Sequence, residues 1–182
     1  MRERIFTISN FLSCLRIILL IPITILLIGD VSSNRMYILT LMIIAALTDT
    51  FDGVIARKLN QVTEFGKMID PIADKVSVGV VVIVLFLQGK IPSWFMVIIV
   101  LRDFMILAGG YYIKKKKNII LQSNKSGKWA VTIIALLIIV TVVDYNELIL
   151  LKTILLYLST FMLFLSFIIY FNRFKTEIQS TN

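Results

Sequence analysis

The sequence contains no histidine and only one cysteine, Cys14, which lies within an apolar run. Histidine is the side chain used most often as a general base and as a zinc ligand, so both roles must fall to other residues here. A single cysteine cannot form an intramolecular disulfide or a paired-thiol metal or redox site. There is also no GxxxxGK[ST] phosphate-binding loop. Any chemistry must therefore use carboxylates, lysines, arginines or hydroxyl groups.

Apolar residues dominate the chain. They make up 58% of its 182 residues, against about 45–50% in soluble domains. The apolar runs recur from Asn10 to the tail without a second compositional zone, which predicts one membrane domain over residues 1–182. The first run follows a basic start but is too long for a signal peptide, so we expect it to be retained as the first span. Arg16 interrupts this run, and we interpret it as a structural residue whose long side chain reaches the interface.

The fold class that this pattern predicts is all-α: six transmembrane helices around a cytoplasm-facing polar cavity, after a short N-terminal interfacial segment. Each predicted span is close in length to the about 20 residues that cross a bilayer. The predicted spans are 9–29, 35–57, 68–89, 92–113, 127–144 and 148–171.

Basic residues predict the orientation of these helices. Most of them lie at the helix ends on the side of both termini, whereas Arg35, Lys90 and Lys152 lie on the opposite side. The positive-inside rule then predicts that both termini are cytoplasmic. This distribution also explains the net charge of +8 without nucleic acid as a partner. The basic run Lys114–Lys117 would attract anionic lipid headgroups, and we interpret Gly109 and Gly110 as helix-packing positions.

Four aspartates interrupt the second and third spans, where the helices should be apolar: Asp49, Asp52, Asp70 and Asp74. Positions 49, 52, 53 and 56 share one helical face, and positions 66, 70 and 74 share a face of the next helix. The small residues on these faces leave room for a ligand. Because burying one aspartate in a bilayer costs about 2.5–3.5 kcal/mol, a positive partner must lie among the four.

Two partners would meet this requirement. One is a set of ion pairs with nearby basic residues, namely Arg57, Lys58, Lys67 and Lys75. The other, which the paired helical spacing favours, is a divalent-cation site. Ligation by oxygen alone favours Mg²⁺ or Mn²⁺, leaves Ca²⁺ open and disfavours Zn²⁺.

The acidic segment resembles a family signature. Its eight fixed positions are Asp49-x2-Asp52-Gly53-x2-Ala56-Arg57-x8-Gly66-x3-Asp70-x3-Asp74. This pattern is similar to that of the CDP-alcohol phosphotransferases, which make phospholipids by displacing CMP. The resemblance implies a phosphatidyltransferase that uses CDP-diacylglycerol and an alcohol acceptor, needs one or two Mg²⁺ or Mn²⁺ ions and no organic cofactor, and forms a homodimer. A bacterial inner membrane is the expected location.

The resemblance also implies roles for individual residues. Asp49, Asp52 and Asp70 resemble metal ligands, and Asp74 resembles the catalytic base that takes the acceptor's proton and also touches metal. The positions implied to bind the CDP moiety are Asp49, Asp52, Gly53, Ala56, Arg57 and Gly66.

Three basic residues in the second half of the chain are candidates for binding a phosphate on the acceptor: Arg102, Lys125 and Lys128. For the two lysines, a role in setting topology is the alternative.

The acceptor itself stays open. The chain most resembles the family branch that uses glycerol 3-phosphate and makes phosphatidylglycerophosphate, but Asp103 departs from that branch's pattern. The alternative acceptors are phosphatidylglycerol, which a cardiolipin synthase uses, and inositol phosphate or serine. A divalent-cation transporter is the alternative from another class of protein. Against it, the carboxylates cluster at one end of the helices instead of marking a path across the membrane.

Overall fold

The computed structural model describes residues 8–58, 64–117 and 125–179. Only the backbone is described at 8–13, 49–58, 64–74, 114, 116, 117, 125 and 179. The described residues form helices joined by short connections and contain no strand, which confirms the all-α prediction. The helices are α1 (Ile8–Ile28), α2 (Val31–Lys58), α3 (Glu64–Leu87), α4 (Ser93–Lys117), α5 (Lys125–Val143) and α6 (Ile149–Gln179), with a 3₁₀ turn at Asn146–Leu148 before α6.

Each predicted span overlaps one helix, and among the described residues four helices are long and apolar enough to cross a membrane. Their apolar segments are Val31–Thr48, Ser93–Ile113, Ser126–Val143 and Asn146–Ile178. In α1 and α3 the described side chains form shorter apolar segments, Cys14–Ile28 and Lys75–Leu87. The chain is therefore an integral membrane protein with four candidate membrane-spanning helices among its described residues.

The residues group into two compact units, Met1–Gly89 and Lys90–Asn182. In the first unit, α1 packs against both α2 and α3. The buried residues of α1 recur every three or four positions, at Arg16, Leu20, Ile23 and Leu27, and so form one helical face.

Two polar side chains fix the ends of these helices. Asp30 caps α2, because its Oδ1 accepts a hydrogen bond from the Ser32 N–H at 3.0 Å and its Oδ2 accepts one from the Ser33 hydroxyl at 2.6 Å. The Gln88 side-chain amide donates a hydrogen bond to the Leu27 carbonyl. This bond places the C-terminal ends of α1 and α3 side by side, so the two packed helices run in the same direction.

In the second unit, α6 packs against both α4 and α5. The Arg102 Nη2 donates to the Ser166 Oγ at 2.8 Å, and the Tyr170 hydroxyl donates to the Ile106 carbonyl at 2.8 Å. Both bonds join residues 64 positions apart in the chain, so α4 and α6 run parallel to each other and keep one register. A salt bridge of 2.6 Å between Lys90 and Asp144 joins the start of this unit to the connection between α5 and α6.

Gly109 and Gly110 lie where α4 packs against the side chains of α6. A Cβ atom added at Gly109 would lie 3.3 Å from Tyr170 Cε1 and 3.4 Å from Phe174 Cδ2, and one added at Gly110 would lie 3.3 Å from the Tyr170 hydroxyl. These distances confirm the prediction that both glycines are helix-packing positions.

Candidate active site

All eight positions of the acidic signature lie on two helices of the first unit. Residues 49, 52, 53, 56 and 57 fall within the last turns of α2, and residues 66, 70 and 74 fall within the first turns of α3. The side chains at 49–74 and the connection 59–63 lie outside the described residues. The structure therefore supports the helical setting of the signature, while the roles of its side chains stay predictions.

The described part of α3 indicates which face the signature occupies. Val81 and Leu85 are buried, and the Ser77 hydroxyl oxygen is also buried. Steps of three or four residues backward from Val81 pass through Ser77 and reach positions 74, 70 and 66. Asp70 and Asp74 therefore occupy helical positions on the continuation of the buried face of α3.

The buried face of α2 also continues to the acidic positions. Val31 and Ile38 are buried and lie seven residues apart, which is two helical turns. Continuation of this face from Ile38 passes through position 45 and reaches positions 49, 52 and 56. Because α2 and α3 both pack against α1, their acidic positions belong to faces that continue the packed interior of this unit.

The position of Arg16 in this unit differs from the predicted one. We expected its side chain to reach the interface, but it is only 5% exposed, and it lies on the α1 face formed with Leu20, Ile23 and Leu27. The spacing of these four residues was a signal in the sequence that placed the arginine on the packed face. A buried guanidinium requires anionic or carbonyl partners, so Arg16 contributes positive charge within the unit that carries the four aspartates.

In the second unit, Arg102 is held by groups of its own unit. Its Nη1 donates to Asp103 Oδ1 at 2.6 Å, its Nη2 bonds Ser166, and its side chain is 12% exposed. Its Nε is buried and has no hydrogen-bond partner within the described structure. Lys128 is exposed, and the side chain of Lys125 lies outside the described residues. Ser166 was not predicted, because nothing in its apolar sequence surroundings indicates an arginine partner.

The chemistry of the donor set bears on the expected metal ion. Among the described side chains, no group of three acidic, histidine or cysteine residues comes together. The four signature aspartates lie outside that set. Their carboxylate oxygens, spaced by three or four residues on two helices, are ligands of the kind that Mg²⁺ and Mn²⁺ prefer. The residues present therefore fit a hard divalent cation.

Comparison with known proteins gives one family match. The model of the CDP-alcohol phosphatidyltransferase family matches residues 6–168, a range that includes the whole acidic signature. A probable phosphatidylglycerophosphate synthase of Mycobacterium tuberculosis is 37% identical over 106 residues, 56% of this chain and 50% of that protein. A CDP-diacylglycerol–glycerol-3-phosphate 3-phosphatidyltransferase of Rickettsia typhi is 43% identical over 99 residues, 53% of this chain and 54% of that protein.

A relative with a different name also matches. A probable CMP-forming cardiolipin synthase of Drosophila melanogaster is 38% identical over 108 residues, 58% of this chain and 32% of that protein. The match to the two bacterial relatives spans only about half of their length, at 50% and 54%.

Proposed function

The chain belongs to the CDP-alcohol phosphatidyltransferase family, and we propose on this basis that it transfers a phosphatidyl group from CDP-diacylglycerol to an alcohol. The acidic signature within the matched range carries this proposal. We propose glycerol 3-phosphate as the acceptor and phosphatidylglycerophosphate as the product, because the names of the two bacterial relatives support that branch. The reaction would be a step of phospholipid biosynthesis.

At the phosphorus, the proposed reaction forms one bond and breaks one, and a proton passes from the acceptor to a carboxylate. The acceptor hydroxyl oxygen bonds the phosphorus next to diacylglycerol, the bond from that phosphorus to the CMP oxygen breaks, and CMP leaves. Asp74 takes the proton of the attacking hydroxyl, since the chain has no histidine to serve as base.

The metal ion would supply electrostatic catalysis at the diphosphate. Asp49, Asp52 and Asp70, with Asp74 beside them, would hold Mg²⁺ or Mn²⁺, which would polarise the diphosphate and stabilise the charge on departing CMP. The residues proposed to line the CDP moiety are Asp49, Asp52, Gly53, Ala56, Arg57 and Gly66.

The membrane arrangement that we propose has six spans, with the signature and both termini on the cytoplasmic side of a bacterial inner membrane. The basic helix ends support this orientation. The cytoplasm-facing polar cavity and the homodimer remain predictions from the sequence and the family resemblance. A site at this boundary would let a lipid tail stay in the leaflet while soluble groups enter from water.

Cardiolipin synthesis from phosphatidylglycerol is the second candidate, because the Drosophila melanogaster relative carries that name. The two candidates differ in whether the acceptor bears a phosphate monoester. Arg102, Lys125 and Lys128 would bind such a group, so their contribution to acceptor binding distinguishes the two candidates. Arg102 supports this role through its buried, unpartnered Nε, which is a donor suited to an anion.

Release of CMP by the purified protein tests the proposal. We expect release to require CDP-diacylglycerol, an alcohol and Mg²⁺ or Mn²⁺, and to stop when EDTA removes the metal. A panel of glycerol 3-phosphate, phosphatidylglycerol, inositol phosphate and serine, with product identification, assigns the acceptor. Metal uptake into liposomes without CMP release would instead support the transporter alternative.

Substitution of the base tests the site. Asp74→Asn should abolish transfer while largely sparing CDP-diacylglycerol binding, because it removes a proton acceptor and keeps the side-chain shape. Asp144→Asn is the matched control, since Asp144 is an exposed aspartate outside the signature. Turnover in Asp74→Asn equal to that of the control would remove Asp74 from the role of base.

A further inference from the structure

A second polar side chain lies on the packed faces of the first unit, in addition to Arg16. Ser77 is on α3, and its hydroxyl oxygen is buried without a hydrogen-bond partner within the described structure. A buried hydroxyl without a partner costs free energy, so such a group calls for an explanation such as a ligand that supplies the partner.

Ser77 and Arg16 lie at the same height along their helices. The Gln88 side chain bonds the Leu27 carbonyl and so sets the register of the parallel helices α1 and α3. Arg16 precedes Leu27 by eleven residues (27 − 16), and Ser77 precedes Gln88 by eleven residues (88 − 77). At about 1.5 Å per residue, both lie roughly 16 Å from the bond that joins the helix ends. Because α1 and α3 pack together, these two residues occupy one level of the interface.

This level adjoins the acidic signature. Position 74 precedes Ser77 by three residues, which is about one helical turn, on the same continuous face of α3. Arg16 and Ser77 thus lie on the side of the signature that faces the apolar part of the helices, where Leu20, Ile23 and Val81 are buried.

The two side chains share one kind of chemistry. A guanidinium has five N–H donors and no acceptor, and it can bond protein groups and a ligand at the same time. The serine hydroxyl adds another donor. Two donor side chains, one of them cationic, in a packed and water-poor setting match the oxygen atoms of a phosphate group.

We infer that Arg16 and Ser77 form a phosphate-binding position at the inner end of the candidate active site, where they hold a non-bridging phosphate oxygen of a substrate. This inference rests on the proposed phosphatidyl transfer, since it needs substrates that carry phosphate. The phosphate belongs either to the diphosphate of CDP-diacylglycerol or to a phosphorylated acceptor.

Four variants test the assignment. Arg16→Met removes the donors at similar length, Arg16→Lys keeps the charge, and Ser77→Ala removes only the hydroxyl. Ser159→Ala is the matched control, because Ser159 is a buried serine whose hydroxyl already bonds the Leu156 carbonyl at 2.9 Å. Each folded variant is assayed for KM and kcat with CDP-diacylglycerol and with glycerol 3-phosphate, and for equilibrium binding of each substrate alone.

We expect Arg16→Met to raise the KM and the dissociation constant of one substrate by about tenfold or more, and Ser77→Ala to raise them by roughly three- to tenfold. Arg16→Lys should recover part of the loss, and Ser159→Ala should change neither constant. A selective rise for CDP-diacylglycerol assigns the diphosphate, and a selective rise for glycerol 3-phosphate assigns the acceptor phosphate.

Other outcomes would overturn the assignment. Unchanged constants, a loss of kcat alone, or an equal rise for both substrates would show that Arg16 and Ser77 serve packing only. If Arg16→Met does not fold, Ser77→Ala decides alone, because it removes one hydroxyl without a partner. Failure of the proposed function looks different, since the wild-type protein would then release no CMP with any acceptor.

Discussion

The contact between α4 and α6 gives a quantitative test of the second unit. Gly109→Leu places a branched side chain where a single Cβ atom would already lie 3.3 Å from Tyr170 and 3.4 Å from Phe174. Tyr170 cannot move away freely, because its hydroxyl bonds the Ile106 carbonyl at 2.8 Å. The leucine must therefore separate the helices or break that bond.

The expected cost combines three contributions. Overpacking costs about 1–3 kcal/mol. Loss of the Tyr170 hydrogen bond adds about 0.6 kcal/mol, the average for bonds between membrane helices, and at most about 1.7 kcal/mol. Replacing a glycine within a helix returns about 0.5–1 kcal/mol. The net loss in the free energy of unfolding is about 1–4 kcal/mol from these values.

Reversible unfolding in mixed micelles, followed by tryptophan fluorescence, measures this loss. The chain has two tryptophans, and Trp94 of α4 stacks on Tyr157 of α6 with ring centroids 6.2 Å apart, so its emission reports on this contact. Gly79→Leu on α3 is the control, because no atom of the described residues lies within 4 Å of a Cβ added at Gly79. Adding Tyr170→Ala should recover part of the loss in Gly109→Leu. Equal stability of Gly109→Leu and Gly79→Leu, or no recovery, would refute the reasoning.

Three further predictions follow from single contacts. Asp30→Ala should lower the free energy of unfolding by about 1 kcal/mol, because the cap on the Ser32 N–H is lost. Asp30→Asn should keep most of that stability, and equal losses in the two variants would argue against capping. Lys90→Met should lower the free energy of unfolding by at most about 1 kcal/mol, since the salt bridge with Asp144 is partly exposed. This loss should disappear in high salt, and a loss that salt does not change would contradict an electrostatic origin. Arg102→Ala should raise the KM for a phosphorylated acceptor more than the KM for CDP-diacylglycerol, and equal effects on both would argue against an acceptor-binding role.

The positions of the helices followed from apolar runs, but their ends did not. The sixth span was predicted at 148–171, whereas α6 continues to Gln179. Hydropathy marks where a helix leaves the apolar layer, and the helix continues through Asn172 and Arg173 because their backbone bonds do not depend on lipid. In α2 the helix begins at Val31, before the predicted 35, because Asp30 caps it.

The sequence likewise predicts one part of the candidate site and not the other. The shared helical faces of the four aspartates could be predicted because helical periodicity is local, and the eight-position signature that contains them resembles that of the family. The partners of Arg16 and Arg102 could not be predicted from the sequence. The bond between Arg102 and Ser166 depends on a register of 64 residues between parallel helices, and no local pattern in the sequence encodes such an offset.

The central place of α1 in the first unit has a consequence for biogenesis. The ribosome makes α1 before α2 and α3, and both later helices pack against it. The signature is divided between α2 and α3, so its two halves can meet only after α3 has been synthesised and has packed against α1, the first of the three helices to be made. Until α3 has packed against α1, Arg16 lacks part of the surroundings that bury it in the folded protein.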